Sequence, residues 1–525
     1  MKPESPPVAA SLEALLGRRR YLLNIFWSWL GSGTLVVVGL LLPPFLIRQL
    51  GSARYGMWAL ALSFVEYFWL IDLGFRPATV KYAAEYRALN RTAELNQLLS
   101  TALSYSAMCG TVVFALLWFN AERIAAYFNI GAPEFAVLIR LVAVSWAFGL
   151  VFNVFSAALE GFQRFDLTNA ISILATLVRS VAVVIVVWLG YGLWGMGVVL
   201  AAVQGASYLA FLGFALRIYP EMRLSPRQVT WSMVRRLAGY ARQVVSGVVA
   251  ARLLQAGMPS LIAYSLPVQH VTYYTVSQRM LEYVADVIGR IGWVTSPRAS
   301  AWMAHGDRQR ILRLSEYGNL YCLTLWLLPA AFLMVFSENV CRLWVNAEFA
   351  AQARMLLPLL IASYTFWMGQ FISASILMGI GRYETYSLSL LAEAVLILAS
   401  CLILFPRMGL AGGVAAFSGW VALNRCVNLS RIFCREFQLS WRRFMGKIYP
   451  RPLALAGASV LALQLWKQVL PGESWPELFA LWTLHCLLYG AAAAVLVLRP
   501  DHRALLLEKA ASWRRRLTVR PSGGD

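Results

Sequence analysis

Long apolar runs alternate with short polar, mostly basic stretches along the whole chain. Runs long enough to cross a hydrocarbon core of about 30 Å as helices fall at 23–47, 55–75, 98–119, 134–160, 168–189, 192–216, 238–265, 268–297, 314–336, 354–379, 386–405, 409–430, 453–470 and 478–498. The pattern predicts an all-α polytopic membrane protein of about fourteen transmembrane helices. Residues 76–97, "RPATVKYAAEYRALNRTAELNQ", predict an amphipathic helix lying on the membrane surface. The longest outer connection, near 337–353, is too short for a soluble catalytic domain, so function must lie inside the helical bundle.

Charge fixes the expected topology. Most of the 46 Lys and Arg fall in alternate connections, among them Arg18 to Arg20, 217–242, 431–451 and the tail "WRRR". Basic loops stay in the cytoplasm, which places both termini there, in a multi-pass protein of a bacterial inner membrane. The expected organisation is a cytoplasmic N-terminus (1–22), six spans (23–218), a linker (219–237), six more spans (238–433) and a second linker (434–452). Two added spans (453–498) and a basic tail (499–525) follow.

Composition agrees with the periodicity. With 59% hydrophobic and 14% charged residues among 525 and a mean hydropathy of +0.62, a soluble multidomain chain is excluded. The net charge of +21 is spent on loops between apolar runs, so no nucleic-acid partner is expected. The N-terminal "MKPESPPVAASLEALLGRRR" lacks the apolar core and small-residue cleavage site of a signal peptide. Seven scattered cysteines and four histidines have no metal-ligand spacing and no CxxC pair, so neither zinc nor a disulfide framework is expected.

The chain also repeats itself. At an offset of about 216, "LSFVEYF" lies over "SQRMLEYV", aligning Glu66 with Glu282, and Pro43 aligns with Pro259. Slightly later "EGFQRFD" lies over "MGIGRYE", which pairs Gly161 with Gly379, Arg164 with Arg382 and Asp166 with Glu384. "YGLWGMG" then lies over "RMGLAGG". A unit of six spans is even, so both copies share one orientation, giving two six-helix lobes related by a pseudo-twofold along the membrane normal, plus two C-terminal helices. Transporters built this way move substrate by rocking one repeat against the other. Pro43 and Pro259 are expected midway along the first and seventh spans, where they serve as gating kinks or as static packing kinks.

Charged residues inside apolar spans carry the candidate chemistry, because each would cost about 2.5–3.5 kcal/mol or more if it faced lipid at mid-bilayer. Arg140, Arg179, Arg252, Arg279, Arg290 and Arg425 fall within spans, as do Glu66, Glu282, Asp286 and Glu393. Arg279, Glu282, Asp286 and Arg290 recur every three or four residues and share one helix face. They either line a wet lumen or form a self-satisfied chain of salt bridges. Arginine's fork of donors matches phosphate oxygens, which makes Arg252, Arg279, Arg290 and Arg179 the candidate contacts to an anionic headgroup. Glu66, Glu282 and Asp286 are candidates for coupling to a proton or sodium gradient, or else neutralise neighbouring arginines. Asp72, expected at the inner end of the second span one turn from Arg76, suits a capping or ion-pair role at the elbow into the surface helix. No nucleophile-base constellation is visible, so no catalytic residues and no bound cofactor are expected.

The stretch "IRQLGSARYGMWALALSFVEYFWLIDLGFRPATVKYAAEY" resembles the opening signature of bacterial polysaccharide flippases of the O-antigen, capsule and exopolysaccharide type. These belong to the multidrug/oligosaccharidyl-lipid/polysaccharide exporter superfamily. The matching elements are Leu50-Gly51, Tyr55-Gly56, Asp72-Leu73-Gly74 and Lys81 to Glu85. "LEGFQRF" and "LMGIGRYE" are similar to the family's turn after its fourth and tenth helices. The resemblance implies transfer of undecaprenyl-diphosphate-linked oligosaccharides from the inner to the outer leaflet, with membrane lipids, a polymerase and chain-length machinery as partners. In the seventh span, "LLQAGMPSLIAYSL" lacks the acid the family often carries there, so coupling through that position does not transfer. Two other functions remain open: a multidrug or small-molecule antiporter of the same superfamily, against which the buried arginines count, and a membrane glycan polymerase or ligase.

Overall fold

The computed structural model describes residues 8–72, 75–241, 245–504 and 508. The described backbone is helical nearly throughout. In chain order the helices are α1 (Val8–Asp72), α2 (Phe75–Ala88), α3 (Thr92–Tyr127), α4 (Pro133–Gly161), α5 (Phe165–Trp188), α6 (Gly192–Ile218), α7 (Trp231–Ala241), α8 (Val245–Ser265) and α9 (Gln269–Ala304). Then come α10 (Arg308–Trp344), α11 (Ala347–Met368), α12 (Phe371–Gly379), α13 (Tyr383–Leu423), α14 (Ser430–Glu436), α15 (Trp441–Ile448), α16 (Pro450–Val469) and α17 (Trp475–Leu496). Among the described residues, nine helices are long and apolar enough to cross a membrane. Two of these nine are double limbs, because α1 breaks at Gly51 (φ 81°) and α13 at Gly409 (φ 65°), a left-handed backbone that only glycine adopts at no steric cost.

Local chemistry sets the boundaries. Asp307 accepts from the Arg310 amide at 3.1 Å and Asn346 from the Phe349 amide at 2.8 Å, each satisfying an orphan donor of the first turn. Pro133 and Pro450 stand at the first position of α4 and α16, where their missing N–H costs nothing. These signals alter several sequence expectations. The amphipathic helix predicted over 76–97 ends at Ala88, since Asn90 takes φ 53°, and residues 92–97 open α3. The outer connection expected near 337–353 is almost wholly helical, because α10 runs to Trp344 and the Asn346 cap starts α11. The span expected over 354–379 is broken between Met368 and Phe371. The linker 219–237 is partly structured, with α7 beginning at Trp231.

The sequence repeat has a local structural counterpart. Gly161 ends α4 against α2, and a methyl there would lie 2.9 Å from the Val80 carbonyl oxygen. Gly379 ends α12, and a methyl there would collide with the Ser296 carbonyl oxygen of α9. Two residues later Gln163 (φ 59°) and Gly381 (φ 77°) both turn left-handed, and an acid, Asp166 or Glu384, opens the next helix. Gly192 (φ 56°) and Gly409 (φ 65°) also share a positive φ.

The chain folds as two compact units. The first holds residues 1–276 and 390–413, and the second 277–389 and 414–525. In the first, α3, α4 and α6 pack together, α2 lies across α4, and α5 and α8 pack on α1. Its core gathers Phe75, Tyr86, Leu98, Phe155, Phe162 and Leu237. Met233 and Leu237 turn one face of α7 into that core, while Trp231 is exposed. In the second unit α10 is the axis, packed by α11, α12, α16 and α17, with Phe332, Phe336, Leu463 and Leu481 at its centre.

Candidate functional site

Two polar sites form inside the apolar helices of the first unit. One is a cavity of about 210 Å³ between α2, α4, α5 and α6. Along α4, Gly149, Asn153, Ser156 and Glu160 follow one another at three- and four-residue steps, which puts them on one face. Gln204 and Tyr208 of α6 and Thr168 and Ser172 of α5 complete the wall. Arg76 enters from α2. Its Nη2 donates to Glu160 Oε1 at 2.7 Å, and the guanidinium reaches Asn153 Oδ1 and Ser156 Oγ at 3.4 Å each. Gln204 Nε2 donates to the Tyr208 hydroxyl at 2.8 Å. Both members of the ion pair are largely shielded, with 30% and 20% of their side chains exposed. A cavity of this size and polarity holds water or a polar guest.

The ion pair adds a partner on α4 to the expected elbow. Arg76 was expected one turn from Asp72, but its partner among the described residues is Glu160 of α4. Asp72 closes α1, and its side chain lies outside the described residues.

The second site joins the limb of α1 after Gly51 to α8. Arg252 Nη1 forms an ion pair with Glu66 Oε2 and also donates to Gln255 Oε1 at 3.3 Å. The neighbouring Tyr67 hydroxyl donates to Ser260 Oγ at 3.3 Å. The structure therefore brings together a candidate headgroup contact and a candidate coupling acid. Pro259 is buried on α8, six residues before its end, and Pro43 stands eight residues before the Gly51 break. On the limb of α1 before Gly51 and on α8, neither proline is midway as expected. Both lie toward the end where the chain turns into the next helix.

Arg179 on α5 stands beside Tyr208. Among the described residues no carboxylate pairs with it. Glu393 is buried at 3% exposure. Arg140 pairs with Glu122 at 2.9 Å, a tie between α4 and the end of α3.

In the second unit, Arg279 Nη1 pairs with Glu282 Oε2 at 2.9 Å, and Gln278 donates to Glu282 Oε1 at 2.9 Å. Asp286 stands in the field of Arg279 and Arg290. Arg279 and Asp286 are exposed, whereas Glu282 and Arg290 are half-buried. Arg425 donates to the Tyr386 hydroxyl at 2.7 Å from a π-helical stretch at Asn424–Leu429.

Outside the spans, Arg236 of α7 donates to the Tyr86 hydroxyl of α2 at 2.7 Å. Burial pushes that hydroxyl above its ordinary pKa, and the Arg236 charge opposes the rise. The contact fastens α7 to α2.

Residues 22–303 match the family described as polysaccharide biosynthesis protein. The chain belongs to that family. It is 20% identical over 409 residues to a Shigella flexneri protein named "Putative O-antigen transporter", an alignment covering 76% of this chain and 95% of the relative. Two solved structures share its fold. Lipid II flippase MurJ in an inward closed conformation superposes with a TM-score of 0.68 at 12% identity, covering 90% of this chain and 98% of the other. An inward-facing multidrug resistance MATE family transporter of the MOP superfamily superposes with a TM-score of 0.64 at 13% identity, covering 76% and 94%. Identities this low establish the fold alone. The family member is thus a multi-pass membrane protein that shares its fold with the flippase and the multidrug transporter.

Sequence reasoning found Arg252, Glu66 and the α9 stripe but passed over the cavity. Asn153, Ser156 and Gln204 are uncharged and drew no attention. Their signal was present all the same: polar residues at three- and four-residue spacing inside spans that are otherwise apolar.

Proposed function

We propose that this transporter flips undecaprenyl-diphosphate-linked oligosaccharide repeat units from the inner to the outer leaflet of the bacterial cytoplasmic membrane by alternating access. The product feeds surface polysaccharide synthesis. The observation that carries the reading is Arg179: a guanidinium inside an apolar helix with no carboxylate partner among the described residues awaits an anion from elsewhere. A diphosphate supplies one, and the polyprenyl tail of such a substrate can stay in the bilayer while its headgroup crosses. Arg252, Arg279 and Arg290 are the further headgroup contacts, and Glu66, Glu282 and Asp286 the groups through which a proton or sodium gradient couples. Arg76, Asp72, Pro43 and Pro259 act as structural and gating residues. Both termini are cytoplasmic, and the two six-helix repeats, 23–218 and 238–433, are the moving lobes. A polymerase and chain-length machinery receive the product.

Deletion of the gene tests the proposal. Cells without the protein should accumulate the lipid-linked repeat unit on the cytoplasmic face while keeping their glycosyltransferase activity. Units that reach the outer leaflet but stay unpolymerised would identify a polymerase instead.

A further inference from the structure

A second cavity, of about 440 Å³, opens in the first unit where α3 turns into α4 and α8 turns into α9. Its wall includes Met57, Phe128, Asn129, Tyr264 and Ser265, and it has no charged lining residue. Helices α3 and α8 both end at this cavity, at Tyr127 and Ser265. The last carbonyls of a helix have no intrahelical partner and carry the negative end of its dipole. At α3 the Ile124, Ala125 and Ala126 carbonyls accept from the Phe128, Ile130 and Asn129 amides, and at α8 the Ile262 carbonyl accepts from Leu266. The acceptors left to a guest are therefore the remaining end carbonyls and the buried Ser265 hydroxyl, which has no protein partner among the described residues, at two dipole ends that repel anions. Beside it, the Tyr127 and Tyr264 rings stack with centroids 5.1 Å apart and planes 24° apart. Phe128 meets Tyr127 edge-on and rests against Phe64, which fixes the platform from behind. Even so, Tyr127 is 62% exposed and Tyr264 46% exposed, leaving aromatic surface open.

Acceptors, no positive charge and open aromatic rings fit a neutral sugar. A pyranose presents hydroxyl donors around its edge and an apolar C–H face that packs on an aromatic ring, whereas a diphosphate would be repelled here. The backbone around the cavity is held in place: the Thr272 hydroxyl donates to the Ser52 carbonyl at 2.6 Å, and Gly56 admits the Val268 carbonyl where any methyl would collide with it. A rigid wall holds the shape of the cavity for a guest without ordering cost.

We propose that this cavity is a saccharide subsite, in which a neutral sugar of the lipid-linked oligosaccharide seats against the Tyr127 and Tyr264 rings while its diphosphate is held elsewhere by arginine. The inference rests on the flippase reading. On the proposed topology this end of the unit lies at the outer leaflet, where the sugars arrive.

The test is native mass spectrometry of the purified full-length protein with two probes: lipid-linked saccharide extracted from the producing cells, and undecaprenyl diphosphate without sugar. Wild type should bind both. The Tyr127→Ala/Tyr264→Ala variant should bind the saccharide-bearing lipid about tenfold more weakly, the loss of two aromatic contacts, and the sugar-free lipid as wild type does. Tyr127→Phe/Tyr264→Phe, which keeps both rings, should bind like wild type and so controls for folding. Equal weakening toward both lipids, or no weakening at all, would overturn the subsite and leave the two tyrosines as membrane-interface anchors. If wild type binds neither lipid, the flippase reading itself fails.

Discussion

Arg76 on α2 and Glu160 on α4 form an ion pair of 2.7 Å inside a polar cavity, and the pair ties the short helix α2 to the long apolar helix α4. Removing one member strands the other. A fully buried pair loses about 3–5 kcal/mol when broken, and the partial exposure of this one lowers the expectation to about 2 kcal/mol. Arg76→Ala should lower the thermal midpoint of the purified protein, and Arg76→Met/Glu160→Met should restore part of the loss. If the double variant is no more stable than the single one, the pair is not the source of the effect.

Glu66 and Arg252 face each other between α1 and α8. Glu66→Gln keeps the shape but removes the charge that a coupling ion would use. Export in that variant should become insensitive to collapse of the proton or sodium gradient, read as lipid-linked intermediate accumulating with and without an ionophore. Sensitivity equal to wild type would make Glu66 a counter-ion only.

Arg279 pairs with Glu282 and keeps 59% of its side chain exposed, so a ligand can reach it. Arg279→Ala should reduce export at least about tenfold, the value of one charge-assisted contact, with protein levels unchanged. Normal export in the variant would reassign the α9 stripe to structure.

Close backbone approach explains two of the glycines. Gly161→Ala should destabilise by about 1–3 kcal/mol, because the added methyl meets Val80 and Ala83, and Gly379→Ala should do the same at the repeated turn. Gly205→Ala, with nothing within 4 Å of the added carbon, is the control. Equal melting of all three variants would refute the packing argument.

The sequence by itself determined the class of fold, because a hydrocarbon core sets a minimum length of apolar helix. It also determined the repeat, since Gly161 and Gly379, or Asp166 and Glu384, recur at fixed offsets for local backbone reasons that each copy must satisfy. Which charges meet was decided only in three dimensions. Arg76 sits four residues from Asp72 in the chain but reaches Glu160, 84 positions away, and Glu66 finds Arg252 at a separation of 186. Ion pairing depends on distance in space, and helix packing sets that distance. For the same reason the saccharide cavity was invisible in the chain. Its walls are the carbonyl ends of α3 and α8, more than a hundred residues apart, and they become a site only where the two helices end side by side.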